Sequence, residues 1–528
     1  MSNLQLTSLE RLEKLQDHGH QNLLCGGLKG IEKESLRISR DGFIAQTPHP
    51  RPLGSALTHP HITTDYSEAL IELITPAFAD ITKTLDFLHQ LHQYVYQHLD
   101  NEMLLCTSMP CGIDGDESIP IARYGTSNIG RMKHVYRHGL WHRYGRTMQS
   151  IAGIHFNYSV PAPLWLALHQ LEGCGNSLDN FIDQRYFALI RNFQRVGWLI
   201  LYLFGASPAI CKTFFSSRPE LMAQFEQFDS GTLYHPYATS LRMSDIGYKS
   251  KNQANLKIDY NSLNGYVSTL TDAIQTPFPD YQKIGVKVDG EYRQLNCNIL
   301  QIENEFYSII RPKQIAESCE KPTLALKRRG VRYVEMRSLD LDLFNPIGID
   351  ASKSRFIEAL LLLCVLTDSP ELSYHDQKIN NLNQLAVANY GRKPGLELEK
   401  GPQKVLLKDW AFEIAEAMQP VCAILDQDDP ERPYSLALQD QTRLIENPNL
   451  TASARMLERM ARFEQPFSCF GLIMSEEHLQ YFNGKKPDSA TTQQFMDMAE
   501  ISLAKQKELE SKPQLPFDDF LRNYFLQR

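Results

Sequence analysis

Glu32, Glu34, Asp65, Glu72, His155, Glu303, Glu305 and Glu335 are spread from position 32 to 335, yet their types could serve one task. One imidazole aside, they offer hard oxygen donors. Such a set suits Mg2+ or Mn2+ better than zinc, and magnesium usually shares its shell with water and substrate phosphates. The chemistry they could do is therefore metal–nucleotide chemistry. Arg242 in "SLRMSDIGY", Arg311 in "IRPK" and Arg337 in "EMRS" could hold phosphate oxygens or a substrate carboxylate through bidentate contacts. No GxxxxGK[ST] loop occurs and no GxGxxG follows a strand, which argues against a glycine-rich phosphate cradle. No serine or cysteine nucleophile motif stands beside a histidine.

Such residues need elements that bring them together. "GIEKESLRIS" at 30–39 alternates as a strand, so Glu32 and Glu34 share a face with Leu36 and Ile38. A strand rises about 3.3 Å per residue, placing the two carboxylates ~6.6 Å apart. Their repulsion is on the order of 2.5 kcal/mol at an effective dielectric near 20, whereas a divalent ion midway between them gains on the order of 20 kcal/mol before its own dehydration. "SIAGIHFNYSV" puts Ala152, Ile154, Phe156, Tyr158 and Val160 on one face and Gly153, His155, Asn157 and Ser159 on the other. "ILQIENEFYSI" alternates likewise, with Glu303 and Glu305 on one face, and "VRYVEMRSLD" sets Glu335 beside Arg337. Antiparallel strands with an apolar back and an acidic front would line a polar trough, packed behind by helices.

Each residue also has a plain structural reading. His155 suits a hydrogen-bonded structural histidine as well as a ligand. Asp65 in "TTDYSEAL" could cap a helix. Glu72 in "LIELITP" sits where helix and strand are undecided. Tyr136, Tyr248 and Tyr307 would individually be core aromatics, and the "IENE" stretch could be a solvated edge.

The 528 residues are 42% hydrophobic and 22% charged, an ordinary globular composition with room for a large core. A net charge of -8 argues against a broad nucleic-acid surface. Leu6, Leu9, Leu12 and Leu15 mark an amphipathic N-terminal helix rather than a signal peptide. The apolar runs "VGWLILYLF" and "ALLLLCVL" are too short for a membrane span and read as buried helices. Ten cysteines without a CxxC pair suggest free thiols in a reducing cytoplasm. "DITKTLDFLHQLHQYVYQHL" reads as a helix with Ile81, Leu85, Leu88, Val95 and Leu99 on one stripe and His89, His92 and His98 on a wet face. "RYFALIRNFQRVGWLILYLFG" reads as one long helix closed by Gly205 and Pro208, and the last forty residues as an exposed helical tail.

"GIEKESLR", "SALTHPHITTDYSEALIELITP", "SMPCGI", "YGTSNIGRMKHVYRHGL", "RYGRTMQSIAGIHFNYS", "YATSLRMSDIGY", "LQIENEFYSIIRPK", "YVEMRSLDLDLFNPIGID" and "GRKPGLEL" together closely resemble the proteobacterial glutamate–cysteine ligase family, in matching order from about 25 to 400. The resemblance implies an α+β, glutamine-synthetase-like fold: a curved, mainly antiparallel sheet forming a funnel-shaped active site surrounded by helices. It implies a single catalytic unit over 1–528, with the core and active site over about 25–400 and a mainly helical extension over about 401–528. Its reaction would join the γ-carboxylate of L-glutamate to the amine of L-cysteine through γ-glutamyl phosphate, splitting ATP to ADP and phosphate, as the first step of glutathione synthesis.

Carried over, Glu32, Glu34, Asp65, Glu72, His155 and Glu335 would bind Mg2+, with Mn2+ an alternative. Arg337 would act on the transferred phosphate. Tyr136, Leu140, Ile151, Tyr248 and Tyr307 would form the cysteine pocket, with Arg242 assisting substrate binding. Beyond those carried over, Glu303 and Glu305 are candidates to take the amine proton, and Arg311 is a further candidate to hold phosphate or carboxylate oxygens. The implied partners are L-glutamate, L-cysteine and ATP, with feedback by glutathione and a monomeric state as further expectations and no role for nucleic acid or membrane. The alternatives are a sister carboxylate–amine ligase with another acceptor, or a non-catalytic amino-acid or nucleotide sensor on the same fold.

Overall fold

The computed structural model describes residues 3–173, 175–246, 256–486 and 488–527, and, within α1 (Asn3–Asp17), the side chains only from Thr7 onward. Tyr248 lies outside the described residues. The alternating segment at 28–39 forms β1 (Leu28–Ser39), which pairs antiparallel with β3 (Leu70–Ile74), β4 (Glu102–Leu104) and β5 (Ile154–Ser159). β2 (Ile62–Thr64) flanks β3, while β7 (Tyr333–Leu339) joins β5 to β6 (Ile310–Lys313) at the opposite edge. The order is β6-β7-β5-β1-β3-β2, with β4 attached to β1 off this path.

Residues directly opposite across an antiparallel pair project to the same face. Glu32 stands opposite His155, Glu34 opposite Glu72, Glu335 opposite Asn157, and Arg311 opposite Glu335. One face thus gathers carboxylates, an imidazole and a guanidinium from five strands, as the alternation predicts. The other face buries Ile154, Phe156, Tyr158, Val334 and Met336. Behind it, α2 (Ile81–Tyr96) packs on β1 and β3, and α4 (Leu178–Val196) packs on β6 and β7 with α6 (Ala351–Leu366) against α4.

The back of β1 is not wholly apolar, contrary to expectation. Lys29, Lys33 and Arg37 are buried there, each with a partner from distant sequence. Lys29 Nζ is 2.9 Å from Glu358 Oε1, whose second oxygen accepts from the Tyr434 hydroxyl at 2.7 Å. Arg37 Nη1 is 2.6 Å from Glu102 Oε2. Lys33 Nζ donates to Ser35 Oγ and to His92 Nε2, and burial lowers its ammonium pKa to about 7. Since Glu358 cannot reach water, Lys29→Ala should lower the unfolding free energy by about 3–5 kcal/mol in urea denaturation, with the double variant Lys29→Met/Glu358→Leu much nearer wild type. Equal losses in the two would contradict an uncompensated buried charge as the cause.

Four further expectations are corrected. His92 is not on a wet face: it is fully buried, its Nδ1–H donating to Leu88 O, and burial and Lys33 hold its pKa well below the ordinary value. The long helix predicted to end at Gly205 is two, α4 and α5 (Trp198–Phe204), broken at Gly197, where a Cβ would lie 2.8 Å from Ile309 Cδ1. The 299–309 segment is no strand but irregular chain with one 3-10 turn at Glu303–Glu305. The last forty residues are not an exposed tail. In α7 (Ser489–Ser511), Ser502 Oγ accepts from Ser55 N and Glu510 Oε1 from Thr126 N, and α8 (Phe517–Leu526) buries Phe517, Leu521 and Tyr524. No helix among the described residues is long and apolar enough to cross a membrane.

Candidate active site

The acidic face of the sheet floors a cleft of about 560 Å3. Its side wall is α3 (Asn128–Tyr144), started by the Ser127 hydroxyl accepting from Gly130 N. Ile129, Met132, Lys133, Tyr136, Arg137 and Leu140 recur at helical spacing and all line the cleft.

His155 sits among the acids. Its Nδ1 is 3.0 Å from Glu32 Oε2 and 3.9 Å from Glu335 Oε1, and its Nε2 is 3.7 Å from Glu34 Oε1. One ligand atom each of Glu32, His155 and Glu335 falls within 4.8 Å of the others, close enough to share a cation. Asn157 Nδ2 donates to Glu32 Oε1 at 2.9 Å and Gly153 N to Glu34 Oε2 at 2.8 Å, fixing both carboxylates. Lys313 Nζ and Arg337 Nη1 hold the two oxygens of Glu335 at 3.0 and 3.1 Å.

The charges divide the floor into two parts. Burial pushes the Glu335 carboxyl up, but Lys313, Arg337 and His155 outweigh it and bring it well below the usual range. For Glu32, burial pushes up, but the hydrogen bond with His155 together with the charges of His155 and Lys313 outweighs it, and the net direction is down. Glu34 is raised by burial, and Glu72 well raised by burial together with the charges of Glu32, Asp65 and Glu34. This side therefore carries more negative charge than its protein neighbours neutralise. Hard oxygen donors with one imidazole, crowded to mutual repulsion, fit a divalent cation of the magnesium or manganese type.

Glu32, Glu34, Asp65, Glu72, His155, Glu335, Arg337, Arg311, Tyr136, Leu140, Tyr307 and Glu305 all line this one cleft. Asp65 caps no helix, following β2 in the turn to β3, and Glu72 is a strand residue. Ile151, Arg242 and Glu303 do not line it. Ile151 is fully buried. Glu303 is turned towards Thr323, whose hydroxyl it accepts at 2.5 Å. Glu305 accepts from Arg143 Nη1 at 2.9 Å, the Tyr144 hydroxyl at 2.6 Å and Gln301 N at 2.6 Å. Both acids fasten the 294–305 segment to its surroundings, Glu305 from the cleft lining and Glu303 from outside it.

Arg242 lies under the floor, its Nη2 donating to Arg337 O at 3.0 Å. It packs against Gly153 so closely that a Cβ there would be 2.0 Å from Nη2 and 2.4 Å from Cζ. Gly153→Ala should therefore displace the guanidinium that supports the Arg337 backbone and lower kcat/KM by about 100-fold in steady-state kinetics. Unchanged kinetics would show that the contact positions nothing.

Sequence reasoning missed several cleft residues. Lys133 and Arg137 stand one turn apart on α3, and burial with Arg137 brings the Lys133 ammonium down to about 8. Arg137 Nε donates to Asp65 O, tying the helix to the floor. Lys313, Phe520 and Tyr524 complete the group. The α3 residues carried a readable signal, a stripe at i, i+3, i+4 and i+7 that mixes cations with aromatic and aliphatic side chains.

An antiparallel sheet whose acids and arginines converge on one cleft defines the class of site: one suited to a metal ion and a phosphate-bearing ligand. A protein-family model described as "Glutamate-cysteine ligase" matches residues 12–387. The glutamate–cysteine ligase of Alcanivorax borkumensis is 48% identical over 521 residues, covering 98% of this chain and 99% of its own, and that of Pseudomonas paraeruginosa is 49% identical over 515 residues, covering 97% of each. The crystal structure of the Francisella tularensis glutamate–cysteine ligase in complex with AMP superposes with a TM-score of 0.89 at 37% identity, covering 95% of this chain and 98% of that one. A bifunctional glutathione synthetase from Pasteurella multocida shares the fold, with a TM-score of 0.69 at 22% identity over 90% of this chain and 55% of that one. The chain belongs to the glutamate–cysteine ligase family.

Proposed function

We propose that this protein joins the γ-carboxylate of L-glutamate to the amine of L-cysteine with the splitting of ATP to ADP and phosphate, in the cytoplasm, as the first step of glutathione synthesis. The observation that carries the reading is the convergence of the Glu32–His155–Glu335 triad, Arg337 and the Tyr136–Leu140–Tyr307 wall on one cleft.

A carboxylate is a poor electrophile and an ammonium a poor nucleophile, so the two do not condense at neutral pH. The γ-carboxylate oxygen attacks the γ-phosphorus of ATP, ADP leaves, and γ-glutamyl phosphate forms. Arg337, held by Glu335, presents its guanidinium to the phosphoryl oxygens as their charge shifts towards ADP. Glu32, His155 and Glu335, with Glu34, Glu72 and Asp65 around them, would hold Mg2+ or Mn2+, which supplies charge neutralisation to the triphosphate when bound. Tyr136, Leu140 and Tyr307 orient the cysteine so that its deprotonated amine reaches the acyl carbon; a tetrahedral intermediate forms and phosphate leaves.

Purified protein with Mg-ATP and glutamate should release ADP in a cysteine-dependent manner and accumulate γ-glutamylcysteine. Release that depends on a different amine would favour a sister ligase, and saturable nucleotide binding without turnover would favour a sensor.

A further inference from the structure

We propose that α8 forms the outer wall of the acceptor-amine pocket, with Phe520 and Tyr524 as positioning residues that set the KM for that amine. The proposal rests on the assignment of Tyr136 to the acceptor pocket. The segment lies 130 residues beyond the end of the family match at 387, where nothing in the sequence assigned it to the site.

Two observations place it there. First, Phe517, Leu521 and Tyr524 form a small apolar cluster with Val135 of α3 and with Leu295 and Ile302, separate from the main core, and Met132, Tyr136 and Phe520 pack against it. Tyr136 and α8 thus share one apolar cluster. Second, Phe520 and Tyr524 themselves line the cleft.

The helix is also tied down at both ends, which a free tail would not be. Before it, Asn128 Nδ2 donates to Leu515 O at 2.9 Å and Asn128 N to Gln514 Oε1 at 3.1 Å, both from the first turn of α3. At its C-terminal end, Lys321 Nζ donates to Phe525 O at 2.9 Å and to Gln527 O at 3.2 Å, and Gln527 Nε2 donates to Cys319 O at 2.8 Å. The Arg131 guanidinium lies 4.4 Å from the Phe517 ring centroid. A wall fixed at both ends, packed on α3 and on the cluster that Tyr136 also packs on, supports the α3 side of the cleft, so its loss should weaken acceptor binding more than chemistry.

The test is steady-state kinetics with each substrate varied in turn for wild type, Tyr524→Ala, Tyr524→Phe and Phe520→Ala, with thermal melts to verify folding. Phe520 is half-buried, so its truncation keeps the test open if Tyr524→Ala unfolds. Expected is a rise of about tenfold or more in the cysteine KM for Tyr524→Ala and a smaller rise for Phe520→Ala. ATP and glutamate KM should stay within about twofold, and Tyr524→Phe, which keeps the ring, should restore the wild-type value. A folded Ala variant with unchanged cysteine KM, or one in which all three KM values rise alike, overturns the proposal. Wild-type protein without cysteine-dependent turnover would instead sink the assigned reaction, and this inference with it.

Discussion

Arg337→Ala should lower kcat by about 10²–10³-fold while leaving the protein folded. The side chain is 18% exposed and bound to Glu335, on whose other oxygen Lys313 remains after the substitution. Loss of the arginine therefore strands no carboxylate without a cation, and the effect on stability should be small beside the effect on turnover. Glutamate-dependent ADP release and circular dichroism melts on the same preparation separate the two. Because the group acts on charge developing during phosphoryl transfer, the fall should appear in kcat and kcat/KM together, not in KM alone. Wild-type kcat in the folded variant would remove Arg337 from the mechanism.

Glu72→Gln should stabilise the protein in chelator and cost about 100-fold or more in activity with Mg2+. Burial and the surrounding carboxylates push Glu72 well above its ordinary 4.5. Glu34, directly opposite across the β1–β3 pair with its Cβ about 5 Å away, alone contributes on the order of 3 kcal/mol of repulsion at an effective dielectric near 20. A carboxyl raised in the folded state is stabilising while protonated, and that stability is lost as pH rises from the unfolded value through the raised one. Metal-free wild type should accordingly lose stability across that window, and the glutamine variant should lose less. Added Mg2+ should reverse the order by stabilising wild type more than the variant. Melts over a pH series with chelator and with Mg2+ read both halves, and a variant that is weaker in chelator, or that gains as much from Mg2+, would contradict the crowded-acid description.

The legible part of the site came from period-two alternation. In β1, β5 and β7 the alternation that sets Glu32 with Glu34, His155 with Asn157 and Glu335 with Arg337 is a local property, so one face per strand could be read from each segment alone. How those faces meet is not local: the pairing of Glu32 with His155 spans 123 residues, and the resemblance to a known family supplied what periodicity could not. The same alternation misled at 299–309. There Ile302 and Phe306 are buried and Glu305 turns inward because Arg143, 162 residues earlier, waits for it.

Partners from distant sequence also explain the polar back of β1, where Glu358, His92 and Glu102 receive Lys29, Lys33 and Arg37. The break at Gly197 was hidden because apolar residues run on through it. The C-terminal helix was readable in principle: Phe517, Phe520, Leu521, Tyr524 and Phe525 recur at i, i+3, i+4, i+7 and i+8, an apolar stripe that a solvated tail does not need.

The most direct test of the metal-nucleotide cleft is anomalous diffraction from crystals of the protein grown with Mn2+ and ADP. The strongest manganese peak should lie among Glu32, His155 and Glu335, with the diphosphate of ADP on the same side of the cleft as Arg337. Manganese and nucleotide bound elsewhere, with those three side chains hydrogen-bonded only to protein, would contradict it.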